Sequence, residues 1–379
     1  MLSRLWRWAL PKRASTKAHP VFARAPEGAL RPAHSRRDVR NEPAVVSADP
    51  HPRDAGARDH AATTRADTPA DEPFFAQLAR QHLPVAPIAS EDEPRIVELV
   101  LQIVAYVTQK KLDPPVMPAL VPRVLAIVGE PEVDLVRLTH LIQQDLSISA
   151  KLLSVANSPL FGGQVEVKTV RHAIAHLGTE QVAQVAIGLA CRSSLDSAAG
   201  PASAFATRWQ RLFHHGMTCA FAAALLTGKQ ERSAQDAAFL GGLFHDVGKA
   251  VALRALEALT KAGALAPASD SIIDEALHRV HAFPGDEFYD KWTLPSALME
   301  LCTNHHQLDE LASADPTFAL VSLSSSFDAL VSGAAAERRD ALREAQASAA
   351  LLGWSDEQLH RAYAEVRSVA ERTRTMFAR

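Results

Sequence analysis

Cysteine is scarce in this 379-residue chain: Cys191, Cys219 and Cys302 are its whole complement, and none belongs to a Cys-x-x-Cys pair. So small and odd a number argues against a disulfide framework and fits a reducing, cytoplasmic setting. Also missing is any apolar run near the ~20 residues that a membrane-spanning helix needs. The longest candidates are broken by Gln, Arg, Lys or His. The N-terminus, MLSRLWRWAL, has no long apolar stretch and no small-residue cleavage site, so no secretory leader is expected. Alternating β-branched runs are absent apart from the short Gln164–Val170 stretch, and no internal repeat is visible. No stripe of aromatic and basic residues marks the body, so direct nucleic-acid binding is not expected.

What is present is ordinary for a soluble globular chain: 47% hydrophobic and 22% charged residues. The length leaves room for two or three structural units. The net charge of -3 averages two unlike pieces. Residues 1–40 carry ten Lys/Arg against two acidic residues, which leaves 30 basic and 41 acidic residues in 41–379. A basic tail therefore precedes an acidic body. Residues 11–73 are rich in Pro, Ala, Arg and Asp; they bury too little to offset ordering entropy and are expected to be disordered. Residues 1–13 interleave Leu2, Leu5, Trp6 and Trp8 with Arg4 and Arg7. That pattern suits weak contact with an anionic membrane surface, although so short a helix is marginal in water and a frayed tail is the plainer reading.

From about Glu93 the pattern turns helical. Ile96, Val97, Leu99, Val100, Ile103, Val104 and Val107 recur at helical spacing, with Pro94 in the first turn. Short amphipathic segments follow: Pro118–Gly129, Leu135–Gln144, Ser147–Asn157, Thr169–Leu177 and Thr179–Ser193. A second helical block runs from Ser203 to Gln307. A third comprises Pro316–Leu330, Glu337–Leu352 and Asp356–Ala378, whose last stretch reads as a solvated helix. The expected fold is all-α, a bundle of two packed helical subdomains behind a disordered leader.

The string that could carry chemistry is Phe244-His245-Asp246-Val247-Gly248-Lys249. His245 offers a neutral nitrogen and Asp246 a carboxylate able to bridge two metal ions. Gly248 lets backbone approach an ion or ends a helix, and Lys249 places a cation where a phosphate could sit. Other histidines could join: His214 and His215 upstream, His281 downstream, and His305 and His306 closing an apolar segment. Each alone is best read as a satisfied core or surface histidine. Cys219, four residues after His215, shares its helix face; a buried structural cysteine is the plainer reading than a His/Cys metal pair. Arg171, His172 and His176 read as a solvated face.

The order of one His, then His-Asp, then His, then His-His resembles the HD superfamily of metal-dependent phosphohydrolases. The flanking strings resemble its signalling branch, the HDOD domain. These strings are Leu112–Pro115 with Met117-Pro118-Ala119-Leu120, the run Asp145–Leu153, Ala156-Asn157-Ser158-Pro159-Leu160-Phe161-Gly162, and Thr169–Ile174 with Leu177-Gly178. The resemblance divides the chain into a leader, 1–90, and an HDOD domain, 91–310. Within that domain it implies an N-terminal helical subdomain, 91–200, and an HD-like subdomain, 201–310; helices in 311–379 complete or extend it.

By resemblance, His215, His245, Asp246, His281, His305 and His306 match the family's metal ligands, Fe or Mn being the implied ions. Catalytic members need a further Asp on a late helix. Here Asp328 matches the second Asp of the Asp-x-x-Asp-Ala-Leu form, and Ser325 replaces the first, metal-binding one. A serine hydroxyl is a poor substitute for an anionic ligand. The Gly-Tyr-Pro signature of cyclic-di-GMP phosphodiesterases is also missing after His306. The resemblance therefore implies a bacterial signal-transduction adaptor that contacts signalling proteins and lacks catalysis. The alternative is a phosphohydrolase acting on a nucleotide or cyclic dinucleotide, in which Asp246 and Lys249 would be catalytic.

Overall fold

The computed structural model describes residues 72–109, 118–130, 132–158, 161, 166–199, 203–228, 232–282, 296–306 and 316–377. The membrane-contact expectation for residues 1–13, and most of the leader, lie outside them. Among the described residues no strand occurs, and none is seen over 166–170. The all-α expectation holds. No helix among the described residues is long and apolar enough to cross a membrane.

Among the described residues, seven helices precede the segment that carries His215. They are α1 (Phe74–His82), α2 (Glu93–Thr108), α3 (Leu120–Val128), α4 (Leu135–Gln143), α5 (Leu146–Ala156), α6 (Val170–Leu177) and α7 (Thr179–Ala199). Their boundaries are set by short polar side chains. Asp134 accepts from the Val136 and Arg137 amides to start α4, and Asp145 from Ser147 and Ile148 to start α5. Asp145, legible in the sequence only as a separator, is thus an N-cap. Gly178 ends α6 at φ 85°, a backbone state that only glycine adopts readily. In the Ala156-Asn157-Ser158 string, the Asn157 side chain donates to Val167 O and accepts from Val167 N at 2.8 and 2.7 Å. One amide thereby fixes where the chain returns after α5. The apolar faces of α3–α7 close on a core that includes Val121, Leu138, Ile142, Leu152, Val182 and Ile187.

The chain continues through α8 (Ala206–Leu226), α9 (Arg232–Phe244), α10 (Val247–Lys261), α11 (Asp270–Val280), α12 (Ser296–Asn304), α13 (Pro316–Ser332), α14 (Ala335–Leu352) and α15 (Asp356–Met376). The stripe Ile96, Leu99, Ile103 of α2 packs with Leu253, Leu256, Ile273 and Leu277 of α10 and α11. At the centre runs α13, buried along nearly its whole length from Thr317 to Leu330. A helix covered all round belongs in the middle of a bundle. It packs against α8, α9, α14 and α15.

Two expectations change. The leader was expected to reach residue 90, yet Phe74–His82 is a docked helix. Phe74 and Leu78 are buried against Phe327 and Tyr363, where two aromatic edges meet the Phe74 ring. Those two side chains repay the ordering of one short helix, which a composition average conceals. The last helix is not solvated all round. Leu359, Ala362, Tyr363, Val366, Val369, Ala370 and Thr373 are buried along one face of α15, a 3–4-residue stripe hidden among Arg and Glu.

Candidate metal centre

The residues singled out by the histidine pattern sit mostly at helix ends. His215 lies mid-way along α8. His245 and Asp246 form the turn between α9 and α10, and Lys249 stands in the first turn of α10. His281 follows α11, while His305 and His306 follow α12. Glycine makes the crowding possible: a Cβ on Gly242 would fall 2.5 Å from backbone atoms of Cys219 and Ala220. Its absence lets α9 press on α8 and carries His245 to His215.

The five predicted histidines gather around Asp246. On one side, His215 Nε2 lies 3.2 Å from His245 Nε2 and 3.4 Å from Asp246 Oδ2. On the other, His281 Nε2 lies 2.7 Å from His306 Nε2, 3.3 Å from His305 Nε2 and 3.6 Å from Asp246 Oδ1. The carboxylate thus faces one histidine group with each oxygen. His245, Asp246, His281 and His305 are at most 3% exposed.

The outer ring nitrogens settle the tautomers. His245, His281 and His305 each turn Nδ1 to a backbone carbonyl: Gly242 O at 2.8 Å, His278 O at 2.6 Å and Cys302 O at 3.2 Å. His306 Nδ1 donates to Glu344 Oε1 at 2.8 Å, and His215 Nδ1 to Asp328 Oδ2 at 2.7 Å. Carbonyls and carboxylates only accept, so every Nδ1 carries the hydrogen. With all five rings neutral, five Nε2 lone pairs therefore point at one another and at a carboxylate. Acceptors that close repel unless a cation lies among them, and this is the second-shell arrangement of metal-bound histidine.

Charge in the cluster is strongly perturbed. Burial pushes His245 down to about 4, and burial holds His281 and His305 well below the usual imidazole range. Burial works the same way on His215, but Cys219 and Asp328 beside it reverse that, and its pKa lies well above the ordinary value. Without a metal, a proton on His215 Nε2 reconciles it with His245. Burial would raise Asp246, but Lys249 and the surrounding histidines hold it well below the usual carboxylate range.

Three acidic partners were not in the predicted metal set. Glu337 and Glu344 lie on α14, and Asp328 on α13 orients His215. Glu337 Oε1 accepts from Lys249 Nζ at 2.8 Å. Nothing in the sequence ties Glu337 or Glu344 to the histidines. Their signal is their place one and three turns along a helix that follows the Asp328 segment, and only packing turns that face inward. Lys249 Nζ also lies 2.8 Å from Asp246 Oδ2, so in this structure it pairs with carboxylates of the chain itself while lining the adjoining pocket. Ser325, at the position where an aspartate was expected, places Oγ 3.3 Å from His215 Nε2. His214 stays outside the cluster and lines the pocket beside it. His176 turns instead to the Phe161 carbonyl at 3.1 Å.

The HDOD domain family model matches residues 115–308. The chain belongs to the HDOD family. Among solved structures, an HDOD domain protein of unknown function from Geobacter sulfurreducens aligns at TM-score 0.54 with 19% identity, covering 75% of this chain and all (100%) of that one. A Shewanella amazonensis SB2B protein named for metal-dependent phosphohydrolase chemistry aligns at 0.51, also with 19% identity, covering 73% and 99%. At that identity these likenesses show the shared HDOD fold. No curated protein matches the sequence. The HDOD match ends at 308, so α13–α15, which supply Ser325, Asp328, Glu337 and Glu344, lie beyond it.

Proposed function

We propose that this HDOD chain is a bacterial signal-transduction module that acts through contacts with partner signalling proteins in the cytoplasm. In its core, His281, His305, His306 and Asp246 Oδ1 hold one divalent ion as a structural or regulatory centre. Three imidazole nitrogens and one carboxylate oxygen suit Fe, Mn or Zn. The ion would supply a fixed positive charge that the five inward lone pairs otherwise lack.

The observation that carries the non-hydrolytic reading is the Lys249 ammonium on Asp246 Oδ2. Two-metal hydrolysis uses a carboxylate that bridges both ions. Here one oxygen of that carboxylate already lies 2.8 Å from a buried cation, and a neutral serine stands where the neighbouring anionic ligand was expected. The space beside the cluster is also small. A pocket of about 210 Å³, lined by Arg208, Arg211, Lys249 and Arg374 among others, reaches Asp246 and His215. Ligand-sized sites run to roughly 300–1,000 Å³, so this one suits a phosphate group better than a cyclic dinucleotide.

The second reading, a phosphohydrolase acting on a nucleotide or cyclic dinucleotide, is favoured by the convergence of five imidazoles. It requires Lys249 to leave Asp246 for the substrate. Metal analysis of protein purified without chelators, with a screen of phosphoesters in added Mn²⁺, separates the two. The expected result is bound metal without turnover. Turnover that disappears in Asp246→Ala would overturn the adaptor reading, and absence of metal from protein reconstituted with Fe, Mn or Zn would overturn the metal centre.

A further inference from the structure

We propose that His215, Cys219 and His245 form a second metal subsite, built on a thiolate and selective for zinc. The proposal rests on the reading of the core as a metal centre, and adds to it a ligand that the histidine pattern does not contain.

The spacing fits. Cys219 follows His215 by one turn of α8, so both project from one face. Its Sγ lies 3.7 Å from His215 Nε2, and His215 Nε2 lies 3.2 Å from His245 Nε2. Ligands on tetrahedral zinc, with Zn–N about 2.0–2.1 Å and Zn–S about 2.3 Å, stand about 3.3 Å apart for two nitrogens and about 3.6 Å for nitrogen and sulfur. One candidate donor atom from each of the three residues lies within 4.8 Å of the others.

The chemistry points the same way. This side of Asp246 needs an anion to balance a divalent ion. Ser325 supplies only a hydroxyl, and Asp246 Oδ2 is held by Lys249 at 2.8 Å. The Cys219 sulfur is the remaining group that becomes anionic on metal binding, its proton passing to solvent. One thiolate with two imidazoles is a softer set than the oxygen-rich one it replaces, and such sets favour zinc over manganese. The outer shell is already in place, with Asp328 on His215 Nδ1 and the Gly242 carbonyl on His245 Nδ1. Cys219 is fully buried, but His215 and Thr218 beside it line the 210 Å³ pocket, which gives an ion a way in and leaves the fourth position to solvent or Ser325.

Cobalt(II) titration of chelator-stripped full-length protein tests this. The expected result is a near-ultraviolet thiolate-to-cobalt charge-transfer band, bleached by added zinc. Cys219→Ser should abolish the band and lose one metal equivalent, while keeping the equivalent bound by His281, His305 and His306. His306→Gln should do the reverse. Cys219→Ala serves as a second variant, and thermal melts report whether each has folded. A wild-type cobalt protein with no thiolate band, or a folded Cys219→Ser that binds as many equivalents as the parent, would overturn the subsite and leave the histidine centre standing. A stripped protein that takes up no cobalt or zinc at all would overturn both.

Discussion

Lys249 Nζ lies 2.8 Å from Asp246 Oδ2 and equally close, 2.8 Å, to Glu337 Oε1, so a single buried ammonium joins the histidine cluster to α14. Lys249 balances two carboxylates inside the protein, and Glu337 is held down to about 2 mainly by that cation, against the opposing effect of burial.

Lys249→Met is expected to destabilise the fold by about 3–5 kcal/mol, because it strands two buried carboxylates. Lys249→Met/Glu337→Gln should regain part of the loss by removing one stranded charge. Urea unfolding of the three proteins measures it; a single variant within about 0.5 kcal/mol of the parent, the range of neutral surface changes, would show that the pair carries no weight.

Gly242→Ala sets helix propensity against sterics. Alanine in a helix gains about 0.5–1 kcal/mol over glycine. Its Cβ, however, would meet backbone of Cys219 and Ala220 at 2.5 Å, and backbone cannot swing aside as a side chain can. Overpacking of about 1–3 kcal/mol or more should win. A lowered melting temperature with weakened metal binding is the expected outcome; an unchanged or raised one would contradict the close α8–α9 approach.

Metal should stabilise the folded chain in proportion to its occupancy. At free metal about 100 times Kd, the gain is about 2.7 kcal/mol, and EDTA should reverse it. Glu344 fixes the His306 ring through Nδ1 at 2.8 Å. Glu344→Gln is therefore expected to weaken metal binding by about 10–100-fold, read by competition with a calibrated chelator. Full affinity in that variant would remove Glu344 from the site.

Helix α1 should undock independently of the rest. Phe74→Ala removes a ring buried to 1% exposure, a change worth about 3–5 kcal/mol in a core. At this edge the loss should appear as local opening, seen as faster amide exchange confined to residues 74–82.

The same helix should respond to acid. His82 Nε2 is hydrogen-bonded to the Tyr363 hydroxyl at 2.8 Å, and burial, then Arg338 and Arg367, hold its pKa below 6.5. With the docked pKa depressed, the undocked state binds more protons below pH 6.5. Docking is thus unaffected above that pH and weakens as pH falls through it. Amide exchange over 74–82, corrected for intrinsic rate, should accelerate between about pH 7.5 and 5.5, and His82→Asn should flatten the trend.

Much of this was legible along the chain. The helical stripe of Ile96, Leu99 and Ile103, the Asp145 break and the order of the histidines are local patterns, and each reappears as a helix face, a cap or a cluster member. The α1 helix was not legible, because two buried residues in a polar, proline-rich stretch leave no periodic trace. Nor was the inward face of α15, where charged residues outnumber the stripe between them.

The sequence by itself determined that the protein is all helical, that it belongs with the HDOD pattern, and which histidines could share a site. Those properties follow from spacing, which fixes how side chains project from their own helix. Only the tertiary structure decided what the site holds apart. Asp246 turns one oxygen to each histidine group, Lys249 is drawn onto Asp246 and Glu337, and Cys219 stands beside His215 and His245. Partners 88 residues apart, such as Lys249 and Glu337, share no pattern along the chain, because burial rather than sequence spacing selects the charge that must lie opposite.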